Sequence, residues 1–265
     1  MTPERPVLFI NPRSGDGTAA RLADHARSLG VECVVFSTED DLGALAMDAA
    51  AAGADALGIA GGDGSLAVVA AAATAHGLPF VCVPAGTRNH FARDLGIDST
   101  DPVGSLAAFT EGIERRIDVG DVNGRMFLNN VSLGIYGDAV RQSSYRDAKA
   151  RTLLQTVLGP GGSAVGIELG DDHGRRYRDP AVVLVSNNPY SFEPPHAPGT
   201  RARLDTGRLG VVVLGRKPGA AWTTERLEIA AAAPVNAGID GEAVELTPPL
   251  TIAIRPRALR IRIVP

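Results

Sequence analysis

Residues 54–77 read ADALGIAGGDGSLAVVAAAATAHG, and no other stretch limits the fold as tightly. An apolar run of strand length ends in Gly61, Gly62 and Gly64 and passes directly into an Ala-rich helical run. Glycine lets the backbone take conformations closed to other residues and approach a ligand closely. A strand, a glycine turn and a helix start, in that order, suit an anion, because free backbone N–H groups and the helix dipole point the same way. The same order recurs. RPVLFINP predicts a strand, SGDG a loop, and residues 18–29 a helix; VECVVFS predicts a second strand and DDLGALAMDAAAAG its helix. LPFVCVP predicts the fourth strand and runs into PAGTRNHFARDLG, which reads as another glycine turn and helix start. Continuous apolar strands between Ala-rich helices predict an α/β domain with a parallel sheet covered by helices on both faces. Ligands in such sheets sit at the carboxyl ends of strands. The loops after Pro12, Ala60 and Pro84 all fall there, so they are expected to converge on one crevice.

The pattern changes near Arg115. RRIDVGDV and RMFLNNVSL flank Asn123–Gly124, a step that favours a two-residue hairpin turn. After a helical segment over about residues 145–158, the chain is mostly short strands: AVGIEL, PAVVLVS, RLGVVVL, ERLEIAAA, AVELT, LTIAIRP and LRIRIVP. That density predicts a C-terminal antiparallel β-sandwich. The expected division is residues 1–115 for a nucleotide-binding α/β domain and 116–265 for a β-rich substrate domain, with the last strands free to pack back on the first. At 45% hydrophobic residues the chain has ample core. The N-terminus lacks a signal-peptide pattern and no window is long and apolar enough to span a bilayer, so a cytoplasmic protein is expected. Cys33 and Cys82 lie in apolar strand runs and read as buried thiols.

Charge is uneven. Met1–Gly120 carries 8 Lys/Arg against 16 Asp/Glu (−8), and Asp121–Pro265 carries 18 against 14 (+4), which together give the net −4. The basic half either reflects ordinary surface variation or faces something anionic, such as a lipid surface. Arg255, Arg257, Arg260 and Arg262 in the last strands read as a solvated strand face that would meet such a surface if it were turned toward one. No interleaving of basic and aromatic residues supports nucleic-acid binding.

Three stretches carry chemistry. GGDGS, Gly61–Ser65, reads as a phosphate or nucleotide loop, with Ser65 where a helix cap would stand; the plainer reading is a tight turn in which Asp63 caps the helix. In NPRSGDG, Asn11–Gly17, Ser14 and Gly15 offer a hydroxyl and N–H groups to an anion, but no Gly-Lys-Ser/Thr follows, so it is not a Walker A loop. In NAGIDGEAVEL, Asp240, Gly241 and Glu242 read as a hairpin turn; two carboxylates there would also suit phosphoryl transfer, which needs a group to position and deprotonate the attacking hydroxyl.

NPRSG, GGDGS, PAGTRN with FARDLG, and the late DGE resemble, in order and spacing over essentially the whole chain, the bacterial diacylglycerol kinase family. Its superfamily includes sphingosine and ceramide kinases and, more distantly, NAD kinase and phosphofructokinase. NNVSLGIYGDAV, residues 129–140, resembles the family's Asn-rich stretch between domains. The resemblance implies a two-domain, ATP-dependent lipid kinase with an interdomain cleft, acting on a diacylglycerol-like lipid hydroxyl at the inner face of the membrane. It implies that Gly61, Gly62, Asp63, Gly64 and Ser65 hold the ATP phosphates, with Asp63 also near Mg²⁺. Asn11, Thr38, Gly86, Thr87 and Asn89 would complete the nucleotide site. Glu242 would accept the lipid hydroxyl's proton, with Asp240 supporting it.

Three positions depart from the family pattern. Ser65 stands for a usual Thr and keeps the hydroxyl. The family's structural metal site uses an Asp-Gly step before a late strand, where this chain has Thr206–Gly207 with Asp205 one residue early, so that site is not carried over. His90 stands for an Asp that would join Asp63 and Glu242 in an acidic cluster. An imidazole there removes like-charge repulsion and could link the two carboxylates as a relay, or it could merely start the helix. Alternatives to the leading reading are a kinase of another acceptor (a sphingoid base, another glycerolipid or a polyol) and a nucleotide- or lipid-binding regulatory module without turnover. Retention of both Asp63 and Glu242 argues against the last. Acceptor specificity is expected to depend on the cleft walls and on loops such as residues 186–203, and a homodimer is one option for the assembly.

Overall fold

Apolar strands and Ala-rich helices alternate in the computed structural model as the sequence predicts. It describes residues 2–12, 19–134, 166–191, 200–215 and 219–265. The expected helix over residues 145–158, residues 135–140 of the Asn-rich stretch, and Ser14 and Gly15 lie outside the described residues. The chain divides into two compact units. One is Met1–Asp118, Phe192–Asp205 and Arg257–Pro265; the other is Val119–Ser191 and Thr206–Pro256.

The first unit begins with β1 (Pro6–Ile10), α1 (Ala19–Ser28), β2 (Glu32–Val35), α2 (Leu42–Ala51), β3 (Ala56–Gly61), α3 (Asp63–His76) and β4 (Pro79–Pro84). A five-residue helix, α4 (His90–Asp94), a 3-10 helix over Gly104–Phe109 and the start of β5 (Ile113–Val122) follow. The strands β2, β1, β3 and β4 lie side by side, all parallel. Every residue of β1, β3 and β4 is buried, as a sheet covered on both faces requires. On one face Leu8, Ile10, Ala56, Ala60, Val81 and Val83 pack with Leu22, Ala23 and Ala26 of α1 and with Leu106 and Phe109 of the 3-10 helix. Close packing there needs a bare backbone in mid-strand: a Cβ on Gly58 would lie 2.5 Å from the Phe109 ring. Strand side chains alternate between faces, so Leu57 and Ile59 point the other way. There α3 rests on β3 and β4 and carries α2. Its buried Ala67, Ala70, Ala72 and Ala73 let it lie close, and Gly77 (φ 65°) ends it.

The second unit takes the rest of β5 and then β6 (Arg125–Phe127), β7 (Asn130–Gly134), β8 (Ile167–Gly170), β9 (Arg176–Arg178), β10 (Val182–Asn187) and β11 (Leu209–Leu214). It continues with β12 (Ala220–Thr224), β13 (Arg226–Ala231), β14 (Val235–Ile239), β15 (Glu242–Leu246) and the long β16 (Leu250–Ile263). One sheet is fully antiparallel in the order β12-β11-β10-β7-β14-β15. Against it β13 pairs antiparallel with β8 and with the first residues of β16. Val131, Leu133, Val183, Val185 and Val211 of the first sheet share a core with Leu169, Leu227, Ile229, Leu250 and Ile252 of the second set, so the unit is a sandwich.

Some elements differ from expectation. LTIAIRP and LRIRIVP are one strand, β16: the backbone turns to positive φ at Arg257 (52°) but does not reverse. Its far end leaves the sandwich, and Arg260–Arg262 pair parallel with β4 in the first unit. This commits two of the four arginines expected on a solvated face. Arg260 makes a forked pair with Glu114 (2.8 and 2.8 Å), and buried Arg262 donates to the Ala108 carbonyl (2.9 Å). The short β9, β12 and the 3-10 helix had no clear periodicity to announce them. Trp222, in β12, stacks on Tyr177 with centroids 5.5 Å apart, as a packing residue. Cys82 is buried and Cys33 half-buried, both free.

Candidate active site

The expected convergence holds for the two described glycine loops and follows from register. Ile10 lies opposite Ala60 and Gly61 opposite Pro84, so β1, β3 and β4 end side by side. The Phe36 N–H donates to the Ile10 carbonyl (3.3 Å), which brings the end of β2 to the same edge; exposed Thr38 follows two residues on. Asn11 leaves β1 with its N–H on the Ala60 carbonyl (3.1 Å). The two described glycine loops touch. A Cβ on Gly86 would sit 2.5 Å from the Gly62 Cα and 3.2 Å from the Gly62 nitrogen, so only glycine allows this approach.

Ser65 is not the helix cap. α3 starts at Asp63, with Gly62 as N-cap and no side chain bonded over its first turn. Ser65 is the third helical residue, and its hydroxyl donates back to the Gly62 carbonyl (3.0 Å). The start of a 14-residue helix therefore opens onto the loop cluster without a side-chain cap, with Asp63 as the acidic group of its first turn.

Asp63 does not cap its own helix either; it caps α4. Its carboxylate accepts from the N–H groups of His90 (3.3 Å) and Phe91 (3.2 Å), and lies 3.3 Å from His90 Nδ1. Burial pushes the Asp63 carboxyl up, but the His90 ring, the two N–H bonds and the His90 charge together hold it below its ordinary value. The Asp63 side chain is 12% exposed and that of His90 49%. Asn89 is bonded within its own turn. Buried and left-handed (φ 47°), it accepts from the Gly86 N–H (3.0 Å) and donates to the Gly86 carbonyl (2.8 Å), stapling the turn on which exposed Thr87 stands. The far end of α4 is held too. Asp94 pairs with Arg201 at 2.7 Å, with both side chains buried (5% and 0% exposed).

In the second unit, Asp240 (φ 50°) and Gly241 (φ 90°) form the two-residue turn between β14 and β15, with Ile239 opposite Glu242. Asp240 is buried, and its carboxylate accepts from the N–H groups of Leu128 (2.8 Å), Asn129 (2.7 Å) and Asn130 (3.0 Å). It holds the approach to β7 in place. Glu242, one residue beyond the turn, is 54% exposed and lies 3.6 Å from Arg125 Nη2 on β6.

Around this turn stands a polar group that the sequence reading missed. Asn187 and Asn188 are fully buried at the end of β10: Asn187 Nδ2 donates to the Leu128 carbonyl (3.1 Å), and Asn130 Nδ2 donates to the Tyr190 hydroxyl (2.9 Å). The signal was SNNPY, polar residues at the end of an apolar strand. Asn188 Oδ1 also takes the Thr206 hydroxyl (2.6 Å) and N–H (2.8 Å), while Asp205 pairs with Arg203 Nε (2.9 Å). Asp205 and Thr206 are thus both bonded to protein groups, and among the described residues no three His, Cys, Asp or Glu gather for an ion.

Known proteins are similar to this chain. The family model for the diacylglycerol kinase catalytic domain matches residues 5–122. A Pseudomonas aeruginosa protein named "Probable lipid kinase YegS-like" is 30% identical over 300 residues, covering 99% of this chain and 95% of its own length. The Bacillus subtilis diacylglycerol kinase is 33% identical over 134 residues, 48% of this chain and 44% of that one. A crystal structure of a diacylglycerol kinase from Bacillus anthracis shares the fold, with a TM-score of 0.72 at 18% identity over 100% of this chain and 98% of that one. With a full-length relative at 30% identity and the domain match over the glycine loops, the chain belongs to the diacylglycerol kinase family of lipid kinases.

Proposed function

We propose that the protein transfers the γ-phosphate of ATP to a hydroxyl of a diacylglycerol-like membrane lipid. The observation that carries this reading is the contact between Gly62 and Gly86 beside the start of α3, which has no side-chain cap. Two backbones this close, at the edge where four parallel strands end, leave N–H groups and a helix dipole for phosphate oxygens. Gly61, Gly62, Gly64, Ser65 and Gly86 shape that cradle, Asn11, Thr38 and Thr87 border it, and Asn89 fixes the second turn.

Asp63 fits a Mg²⁺ that arrives with the nucleotide. Mg²⁺ takes one or two carboxylates and completes its shell with phosphates and water, and Asp63 keeps unused lone pairs beside its N–H bonds. Such an ion would neutralise charge on the phosphates. Glu242 accepts the proton of the lipid hydroxyl: it is a solvent-reachable carboxylate on a rigid hairpin, and Asp240 fixes the backbone beneath it. His90, half-exposed and 3.3 Å from Asp63, orients that carboxylate.

Incubation of the purified protein with labelled ATP, Mg²⁺ and lipid hydroxyls (diacylglycerols, sphingoid bases, monoacylglycerols) tests the reading. Label in the diacylglycerol fraction is expected. Label only in a sphingoid base would reassign the acceptor, and nucleotide binding without transfer to any lipid would refute the enzyme reading in favour of a regulatory module.

A further inference from the structure

Arg125 has no part in the function as stated, yet the second unit holds it beside Glu242. It follows the Asn123–Gly124 turn, whose residues both take positive φ (50° and 85°), and that turn is tied down by its own asparagine. Asn123 Nδ2 donates to the carbonyls of Thr247 (3.1 Å) and Pro249 (3.2 Å), Asn123 Oδ1 accepts from the Thr251 N–H (2.8 Å), and the Asn123 N–H donates to the Thr251 carbonyl (3.1 Å). The hairpin bearing Arg125 is thereby fastened to the chain that continues from β15, the strand that Glu242 begins. Across that fixed frame the guanidinium stands 3.6 Å from Glu242, an ion pair rather than a hydrogen bond, with both side chains about half exposed (47% and 54%). Exposed pairs of this kind stabilise a fold little, so the Asn123 bonds hold the hairpin while the ion pair itself adds little to folding.

We propose that Arg125 is a product-binding residue whose charge passes from Glu242 to the phosphorylated product. This rests on Glu242 being the proton acceptor. In the transfer, the acceptor oxygen forms a bond to the γ-phosphorus as the bond from that phosphorus to the bridging oxygen breaks, and the bridging oxygen leaves with its electron pair on ADP. The hydroxyl proton passes to Glu242, which becomes neutral. In one step Arg125 loses its anionic partner while a phosphate monoester appears on the oxygen that had been within hydrogen-bond reach of Glu242. A guanidinium prefers the new anion, which it can grip with two parallel N–H bonds. Arg125 therefore favours the phosphorylated lipid over the neutral one.

The test uses the full chain without nucleotide, comparing binding of dioctanoylglycerol and dioctanoyl phosphatidate in the native protein, Arg125→Met and Arg125→Lys. The native protein is expected to bind the phosphatidate more tightly. Arg125→Met should weaken phosphatidate binding about tenfold and leave diacylglycerol binding within about twofold, and Arg125→Lys should recover part of the loss. No preference in the native protein, or an unchanged preference in Arg125→Met, overturns the inference. Turnover of Glu242→Gln is measured in parallel. If it is undiminished, the proton-acceptor reading fails, whereas an intact loss of turnover with an unmoved phosphatidate preference refutes the role of Arg125 alone.

Discussion

The loop after β3 and the turn after β14 are built on one plan with different consequences. In each, a buried carboxylate is spent on backbone N–H groups from a distant segment: Asp63 on the start of α4, Asp240 on residues 128–130. In each, a half-exposed titratable group stands beside it, His90 at 49% and Glu242 at 54%. The first region buries its acid among loops that also touch through glycine. The second presents a carboxylate outward on a hairpin. In the function proposed above, the first would receive negative charge and the second would supply it. The buried acids shape the two regions, and the exposed groups beside them carry the chemistry proposed above.

The comparison predicts unequal mutational costs. Asp240→Ala should cost most, about 3–5 kcal/mol in urea unfolding, because two buried N–H groups and one half-buried N–H group lose a charged acceptor together. A cost under about 1 kcal/mol would mean that water replaces the carboxylate easily. Gly86→Ala should cost about 1–3 kcal/mol and weaken nucleotide binding at least about tenfold, since its methyl group would enter the Gly62 backbone. Unchanged calorimetric affinity would separate the loop contact from the nucleotide.

These two positions also show what was legible. Glycine at strand ends is a local signal, so the GGDGS and PAGTRN loops and their convergence could be read before any coordinates. So could the DGE hairpin, whose two-residue turn is set by its own residues. The destination of a buried carboxylate is not local. Asp63 reaches an N–H 27 residues away, and Asp240 reaches one 112 residues away. The sequence therefore shows the loops on which Asp63, Asp240, Ser65 and Asn89 stand, but not the partner each has within the protein: the start of α4, residues 128–130, the Gly62 carbonyl and the Gly86 backbone. Likewise β16 reads as two strands because Pro256–Arg257 imitates a turn, and only its pairing with β4 shows that the chain runs on.

His90→Ala should have a smaller effect, lowering turnover about tenfold (about 1.4 kcal/mol) with nucleotide affinity little changed. Equal turnover would leave His90 as the residue that starts α4 and nothing more. The smallest effect concerns pH. The Asp63 carboxyl is more acidic in the folded chain than its ordinary value of 3.8. Its contribution to stability is therefore complete above that value and is lost as pH falls through the lower folded value. The stability difference between the native protein and Asp63→Asn should shrink in acid below about pH 4. A difference that grows there would reverse the sign argued here.

Glu242→Gln tests the division of labour most directly, when nucleotide affinity and transfer of labelled phosphate to diacylglycerol are measured on the same sample. The expected result is native affinity for ATP with transfer reduced by a factor of about 10² to 10⁴. Native transfer by Glu242→Gln, or loss of nucleotide binding along with transfer, would contradict the account.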